Sequence, residues 1–428
     1  MRWGSHSLLS ERAYRLVVVA AAVLVAGCTP SPETPPTPRA DGPERGGRVD
    51  LGVVGEPATL DPFAPNASDL TFALVRPVFP MPYRLLPDGT TEPDLAENLE
   101  VSGDRALLTL RRTSWSDGRA ITARDVVASI KRAAPPSGFA ATEARVLRPR
   151  VVELRGDIED WEATLARGAY VLPRGKLAAG RISGGPFRFR RYDQGRRITY
   201  IPNGKWDGDA PLLDEIAVSF VQGTQLLVRL LEEGRLDAAS PPMSVNLDER
   251  LEEVGIAHAE ALGAETIAIE AAPGRLTDAE WRALVAEIDV ANLVRSFIRD
   301  DGSMVRDIPG REGPVPAEIS IAAPEGDELL GLMQRAIQID LQRSNVTSQL
   351  ISGPLATHYG AWRDDPPADL ALVRLAAGSP MLTPARTQEI ARIETIVAWR
   401  AGTHGIVVNP TLDGPLWNAW EWWKDPSI

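Results

Sequence analysis

The spacing of apolar and polar residues divides the chain into alternating strands and helices. Residues 48–54 and 106–112 alternate apolar and polar positions, which predicts strands, and a capping pair (Thr122 with Asp125) predicts a short helix after it. Further strands are predicted at 151–154, 170–173, 215–221, 264–271, 318–323 and 346–351, and helices at 68–79 (broken by Pro77), 225–233, 277–297, 327–343 and 385–400. This alternation indicates an α/β fold with right-handed crossovers.

Size and charge narrow the class of protein. At 428 residues the chain exceeds an average domain, so two lobes are expected. The formal net charge of −12 argues against a nucleic-acid partner, which would need a basic face. The single cysteine permits no intramolecular disulfide, and the four histidines are scattered without ligand spacing. We therefore predict no metal site and no cofactor.

The N-terminus has the pattern of a lipoprotein leader. Residues 16–27 form an apolar segment. The segment is shorter than the about 20 residues that a membrane-spanning helix needs, but its length fits the hydrophobic core of a signal peptide. The segment ends in LVAGC at residues 24–28, typical of a lipobox, whose cysteine is lipidated and becomes the mature N-terminus. The alternative is a signal peptide that merely contains a cysteine. Residues 29–45 are rich in proline and predict an extended spacer. We expect an extracytoplasmic protein anchored to the cell membrane through Cys28.

Several short motifs follow one another in a fixed order. They are GEPATLDP at residues 55–62, DG at 88–89, PDLAENLE at 93–100, WSDGRAITARDVVAS at 115–129, GGPFRF at 184–189 and NGKWDG at 203–208. This order resembles the extracellular solute-binding proteins of family 5, the peptide-, nickel- and opine-type receptors of ABC importers. The chain is identified as a shortened and divergent member.

The resemblance implies a fold and a domain plan. The fold would be the two-lobed, periplasmic-binding-protein-like (type II) α/β fold with a reduced extra subdomain. The expected plan is a signal peptide at 1–27, a lipidated Cys28 with a tether at 28–45, lobe I at 46–262 with the reduced subdomain at about 133–182, lobe II at 263–395, and a return to lobe I at 396–428.

The resemblance also implies a function without catalysis. Such a receptor binds a peptide or related small solute between its lobes, closes around it and delivers it to an ABC permease in the membrane. We expect a monomer and not an enzyme, since the chain lacks G-x-S-x-G, H-E-x-x-H and P-loop motifs. A carboxylate pair in a cleft would be the mark of an enzyme. The alternative function is a sensor or interaction scaffold without transport.

Candidate ligand residues come from the same resemblance. Phe79 best matches the aromatic residue that faces the family's cleft, although ordinary core packing is the alternative, and Trp362 and Arg374 complete the predicted wall of the ligand site. Residues 375–384 are expected to run directly into the helix at 385–400, so the loop that holds a peptide's amino terminus in the family is largely missing. The terminal tryptophans at 417–423 could cap the core or stack on a ligand.

Overall fold

The computed structural model describes residues 43–132, 142–177, 181–298, 313–360, 365–376, 379 and 386–426, of which 262–264 and 360 by their backbone alone. The strands are β1 Arg48–Val54, β2 Tyr83–Leu85, β3 Thr91–Pro93, β4 Ala96–Ser102, β5 Arg105–Leu110, β6 Glu143–Arg148, β7 Val151–Arg155, β8 Phe187–Asp193, β9 Arg197–Pro202, β10 Glu215–Val221, β11 Ala238–Ser240, β12 Ala257–Ala271, β13 Glu318–Pro324, β14 Thr347–Gly353, β15 Leu370–Ala376, β16 Thr387–Trp399, β17 Thr403–His404 and β18 Trp423–Lys424. The helices are α1 Asp69–Val75, α2 Ala123–Ile130, α3 Trp161–Ala166, α4 Thr224–Glu232, α5 Leu247–Glu253, α6 Asp278–Ala286, α7 Val290–Phe297, α8 Glu328–Arg343 and α9 Leu355–Gly360.

A ten-stranded mixed sheet organises these elements. Its order is β14-β13-β15-β12-β16-β11-β1-β10-β9-β8. β1 pairs in parallel with β10 and β11, and β13 pairs in parallel with β14 and β15. Parallel neighbours need crossover connections, so each half of the sheet carries helices. The long antiparallel strands β12 and β16 join the two halves.

Two large hydrophobic cores lie on the two halves of the sheet. The first surrounds β1, β8, β9, α1 and α2 and also covers the four-stranded sheet β4-β5-β7-β6. The second surrounds β13, α6, α7 and α8. We call the parts around the first and second cores lobe I and lobe II. Burial of apolar surface stabilises each core separately, which leaves β12 and β16 as the connection between them.

The helix predicted at 385–400 is wrong, because residues 387–399 form β16. Ile390 and Ile393 are both buried three positions apart, which is a helical spacing. The register shows why: Ile267 pairs with Ala391 and Ala268 with Glu389, so Ile390 is an extra residue in a bulge. The bulge interrupts the two-residue alternation of the strand. The abundance of β-branched residues in this segment was the signal for a strand.

Two other predicted elements also differ from the structure. The helix expected over 277–297 is two helices, α6 and α7, because the Asp289 side chain accepts a hydrogen bond from the Asn292 N–H at 2.9 Å and starts a new helix. Residues 170–172 are buried but form no strand. The predicted capping pair is confirmed, since Asp125 Oδ2 accepts from the Thr122 N–H at 2.8 Å at the start of α2.

Candidate functional site

A cavity of about 190 Å³ lies between the two lobes. Lobe I contributes the C-terminal ends of β1 and β11 and the first turns of α1, and lobe II contributes the end of β13, the start of α8 and part of α9. β12, β15 and β16 contribute residues from the connection, and the chain at 409–415 closes one side. Most of the wall is apolar, and its charged side chains are Asp69, Glu265, Asp327 and Arg374.

Arg374 on β15 is the centre of an ion-pair network on this wall. Its Nε and Nη2 donate to both carboxylate oxygens of Asp327 at 2.9 and 3.1 Å, and Nη1 donates to Glu265 at 3.1 Å. Nη2 also donates to the carbonyl of Met243 at 2.9 Å. Burial opposes the charge on Arg374, but the two carboxylates outweigh it and raise its pKa. The two hydrogen bonds from the guanidinium to Asp327 fix the position of β15 relative to the start of α8 in this wall.

Asp69 ties lobe I to the chain that leaves β15. It is the first residue of α1, and its carboxylate accepts from the backbone N–H of Ala376 and from the hydroxyl of Ser379, both at 2.7 Å. Since Asp69 and Arg374 both line the cavity, the wall holds three carboxylates and one guanidinium. The charged side chains of the wall therefore carry more negative than positive charge.

Tyr359 and His358 on α9 support the strand that carries Arg374. The Tyr359 hydroxyl accepts from the Arg374 N–H at 3.0 Å and donates to the Arg374 carbonyl at 3.2 Å. His358 Nε2 lies 2.8 Å from the Leu372 carbonyl, so this nitrogen carries the proton of the neutral ring. Burial lowers the pKa of His358 to about 4. His358 is therefore neutral at physiological pH.

The two lobes touch at the rim of the cavity. Gly55 after β1 faces Leu355 of α9 so closely that a Cβ on Gly55 would lie 3.0 Å from that side chain. A Cβ on Gly326 would lie 3.2 Å from the Gly223 nitrogen, and Gln225 Nε2 donates to Glu328 at 3.1 Å. Gly55, Gly223 and Gly326 all have positive φ, which favours glycine at these three positions. The structure therefore shows a closed arrangement of the lobes.

The predicted site residues lie in different parts of the structure. Arg374 lines the cavity, with its guanidinium held by Asp327 and Glu265. Phe79 lies in the core of lobe I at 0% exposure, with its ring edge-on to Phe189 at 6.4 Å. Phe79 is buried because its N–H continues the turn of α1 by bonding to the Val75 carbonyl at 2.9 Å. The predicted cleft role of Phe79 is corrected to core packing.

Two predicted residues lie outside the described ranges. They are Trp362, a predicted residue of the ligand-site wall, and Cys28, the predicted site of lipidation.

The terminal tryptophans pack on lobe I and not around the cavity. Trp422 is completely buried, and its indole N–H donates to Asn418 at 3.0 Å. Trp420 lies against Trp206 at 5.5 Å between ring centroids. The capping role is confirmed by these contacts.

Sequence reasoning missed the carboxylates and Tyr359. Asp327 caps α8 by accepting from the Leu330 N–H at 3.0 Å, and Asp69 opens α1, so each resembles an ordinary residue of a helix start. The available signal for a role in the site was that Asp69 and Asp327 lie at the starts of helices that face the opposite lobe. The described residues include no group of three or more His, Cys, Asp or Glu placed to hold a metal ion. None of the helices in the described ranges is long and apolar enough to cross a membrane.

A family model described as "Bacterial extracellular solute-binding proteins, family 5 Middle" matches residues 90–304. This family consists of extracytoplasmic binding proteins for peptides or other small ligands that work with ABC permeases, and they are not enzymes. No curated protein matches the sequence.

Solved structures of similar fold cover most of the chain. The oligopeptide-binding protein AppA of Bacillus subtilis, solved with a nonapeptide, has a TM-score of 0.75 at 13% identity and covers 90% of this chain and 100% of its own. The binding protein AgaA of A. tumefaciens R10, solved with agropinic acid, gives 0.71 at 16% identity over 89% and 99%. NikZ of Campylobacter jejuni, solved with Ni(L-His), gives 0.70 at 15% identity over 88% and 99%.

These similarities confirm the two-lobed periplasmic-binding-protein-like fold and, at such low identities, nothing finer. Because the family model covers half of the sequence, the chain belongs to the bacterial extracellular solute-binding proteins of family 5.

Proposed function

We propose that this protein binds a small solute with a positively charged group in the cavity between its lobes and delivers it to an ABC permease. The observation that carries the proposal is the wall of three carboxylates and one guanidinium, Asp69, Glu265, Asp327 and Arg374, set in apolar surroundings. A mostly apolar pocket with a few placed polar groups is the usual form of a small-molecule site. The solved relative AppA binds a nonapeptide, which is consistent with a peptide or an amine as the ligand here.

Cavity size sets the ligand that the closed arrangement can hold. The volume of about 190 Å³ is below the roughly 300–1,000 Å³ of common ligand pockets. A short peptide end or a small amine fits this space better than a long peptide. A longer ligand would require the lobes to open about β12 and β16.

A ligand screen by thermal unfolding tests the proposal. The protein would be melted with pools of short peptides, amines, opines and neutral sugars. A ligand at a hundred times its Kd stabilises the native state by about 2.7 kcal/mol, which is a readily measured shift in midpoint. We expect the unfolding midpoint to shift with the amine pool, which is cationic, and not with the neutral sugars. A shift confined to the neutral or anionic pools would overturn the cationic ligand.

Asp69 provides the matched variant for this screen. Asp69→Asn keeps the shape of the side chain and removes one cavity charge, so the Kd of a cationic ligand should rise at least about tenfold, which is 1.4 kcal/mol. Asp248→Asn is the control, because Asp248 is exposed on α5 and is not among the residues that line the cavity. Equal affinities of the two variants would contradict the proposed role of Asp69.

We also propose that the mature protein is a lipoprotein whose folded part, with lobe boundaries at 46–262, 263–395 and 396–428, is held on the membrane through Cys28. The apolar segment 16–27 before LVAGC supports this proposal. Each buried CH₂ of an acyl chain contributes roughly 0.8 kcal/mol, so several chains anchor a protein firmly. Cys28→Ser should release the protein into the medium, whereas Thr29→Ser should not. A Cys28→Ser protein that still pellets with membranes would refute the anchor.

A second candidate is a sensor or scaffold that does not transport. The observation in its favour is that Arg374 is already engaged by Asp327 and Glu265, so it is less available to a ligand. If no pool shifts the unfolding of well-folded protein, this candidate is preferred.

A further inference from the structure

One stretch of this acidic protein is strongly basic. Residues 167–205 contain ten lysines and arginines and one acidic residue, Asp193, whereas the whole chain has a net charge of −12. The stretch includes β8, the outermost strand of the ten-stranded sheet, and β9. Positive charge is therefore concentrated at one edge of lobe I.

The fold gathers five of these side chains around two adjoining cavities. The first, of about 550 Å³, is lined by Arg181, Arg190 and Arg191, with Leu60, Leu177 and Phe189 among its apolar residues. The second, of about 390 Å³, is lined by Arg181, Arg188 and Lys205, together with the carboxylate of Asp117. Arg181 belongs to both. We call Arg181, Arg188, Arg190, Arg191 and Lys205 the basic rim.

A bulge in β8 turns neighbouring arginines outward. Phe189 pairs with Tyr200 and Arg191 with Thr199, so Arg190 is an extra residue in the strand. Arg190 and Arg191 are consequently both exposed, where regular alternation would bury one of them. The bulge gives this edge two adjacent positive charges.

Only part of the positive charge is balanced by nearby carboxylates. Arg190 pairs with Glu215 at 2.7 Å and Arg191 pairs with Asp193. Within the described ranges, Arg181, Arg188 and Lys205 have no ion pair, and Asp117 is engaged by Arg119 at 2.7 Å. Charged residues on an outer strand often serve only to prevent pairing with other sheets. Arg181 and Lys205 lie off the strand, so that role does not account for them.

The basic rim lies next to the point where the folded part meets its N-terminal tether. Gly46 donates its N–H to the Leu212 carbonyl at 2.7 Å, just before β10. Two residues later, Arg48 pairs with Glu215 at 3.1 Å, and the other oxygen of Glu215 binds Arg190 of the rim. A single glutamate therefore links the start of the fold to the basic rim.

We propose that the basic rim binds the anionic headgroups of the membrane to which the protein is anchored. The choice of a membrane surface rests on the proposed lipidation of Cys28. A tether of the 18 residues 28–45 can reach at most roughly 65 Å, so the folded part is confined near the bilayer, and the face beside the tether's end is among the surfaces nearest to it. Each basic residue near an anionic leaflet contributes about 1 kcal/mol, or roughly fivefold in affinity. The rest of the chain is acidic and is repelled, so the rim sets the orientation of the receptor on the membrane.

Vesicle binding by the unlipidated chain tests this surface without using the anchor. The chain from Thr29 onward would be sedimented with vesicles of phosphatidylcholine alone and with vesicles that also contain phosphatidylglycerol. We expect the chain to bind the anionic vesicles only. This binding should be lost at about 1 M salt, where the Debye length falls to about 3 Å. Residues 1–28 carry three arginines and one glutamate, so the tested chain has a net charge of −12 − 2 = −14, and without a basic docking face it would bind neither kind of vesicle.

A triple substitution makes the test specific to the rim. Arg181→Gln, Arg188→Gln and Lys205→Gln together should weaken binding at least about tenfold, since each charge contributes roughly fivefold. The matched control is Arg124→Gln, Arg229→Gln and Arg335→Gln, three exposed arginines elsewhere that should leave binding unchanged. Unfolding midpoints would verify that both variants are folded.

Two outcomes would overturn the inference. One is equal sedimentation of the wild-type chain with anionic and neutral vesicles, which would leave an acidic protein partner as the occupant of the rim. The other is equal binding by the rim variant and the control variant. Acylation of Cys28, measured by mass spectrometry of the full chain, and ligand binding by thermal unfolding are separate readouts, so failure of the proposed function would be recognised independently.

Discussion

The wall of the cavity depends on Arg374, and its replacement by methionine should strongly destabilise the protein. The Arg374 side chain is 8% exposed, and Asp327 and Glu265 are 9% and 20% exposed. Arg374→Met keeps most of the volume but leaves both carboxylates without their cation. Removing one partner of a buried ion pair costs about 3–5 kcal/mol. Each kcal/mol lowers Tm by about 2–4 °C in domains of 150–250 residues, so a loss of roughly 6 °C or more is expected.

The assay is urea unfolding followed by tryptophan fluorescence and by circular dichroism, so that separate unfolding of the lobes would be seen as non-coincident transitions. Arg374→Lys should fall between wild type and Arg374→Met, because lysine keeps the charge but loses the two-pronged contact to Asp327. Arg335→Met, at an exposed arginine of α8, is the control and should stay within about 0.5 kcal/mol of wild type.

A further variant separates charge from packing. Adding Asp327→Asn and Glu265→Gln to Arg374→Met removes the stranded charges and should restore part of the lost stability. An Arg374→Met protein as stable as the Arg335→Met control would refute the network as described. A triple variant less stable than Arg374→Met would show that packing, and not charge, dominates.

Three other predictions follow from buried groups. His358 has a pKa of about 4 in the folded chain and about 6.5 in the unfolded chain, so it takes up a proton more readily when unfolded, and the free energy of unfolding falls by roughly 3 kcal/mol as pH drops from about 6.5 to 4. His358→Gln should remove that part of the pH dependence measured by urea unfolding. An unchanged dependence of stability on pH would contradict the burial of the ring. Trp422→Ala should cost about 3–5 kcal/mol in the same assay without altering ligand affinity, because Trp422 fills the core of lobe I, whereas lost binding at intact stability would place it in a ligand site. Asp413→Asn should cost roughly 1.5–3 kcal/mol, since the buried Asp413 carboxylate binds Arg76 Nε at 2.8 Å, while the exposed Asp104→Asn should be neutral; equal stabilities of the two would refute the pairing.

The family and the order of elements were predictable because they depend on local signals. Turn motifs such as WSDG and the capping pair of Thr122 and Asp125 are set by residues a few positions apart. Helices α4 and α8 and strands β1, β10 and β13 were predicted for the same reason, since each repeats its own period over most of its length.

The site was less predictable because it is built from contacts distant in sequence. Asp69 meets Ala376 and Ser379 more than three hundred positions away, and no local pattern announces such a pair. The bulge at Ile390 depends on the partner strand β12, which made a strand resemble a helix. Phe79 matched a family pattern, but the turn after α1 directs it inward against Phe189. Arg374 was proposed from the family resemblance, and the structure places it within β15 on the cavity wall.

The central claim is that a solute binds between the lobes, and filling the cavity tests it most directly. Ser240 lines the cavity at the end of β11, so Ser240→Trp would occupy much of its approximately 190 Å³. Arg229→Trp, on the exposed side of α4, adds the same ring outside the cavity. Titration calorimetry with the solute that shifts unfolding should show binding by wild type and by Arg229→Trp, and none by folded Ser240→Trp. Undiminished binding by Ser240→Trp would contradict a site between the lobes.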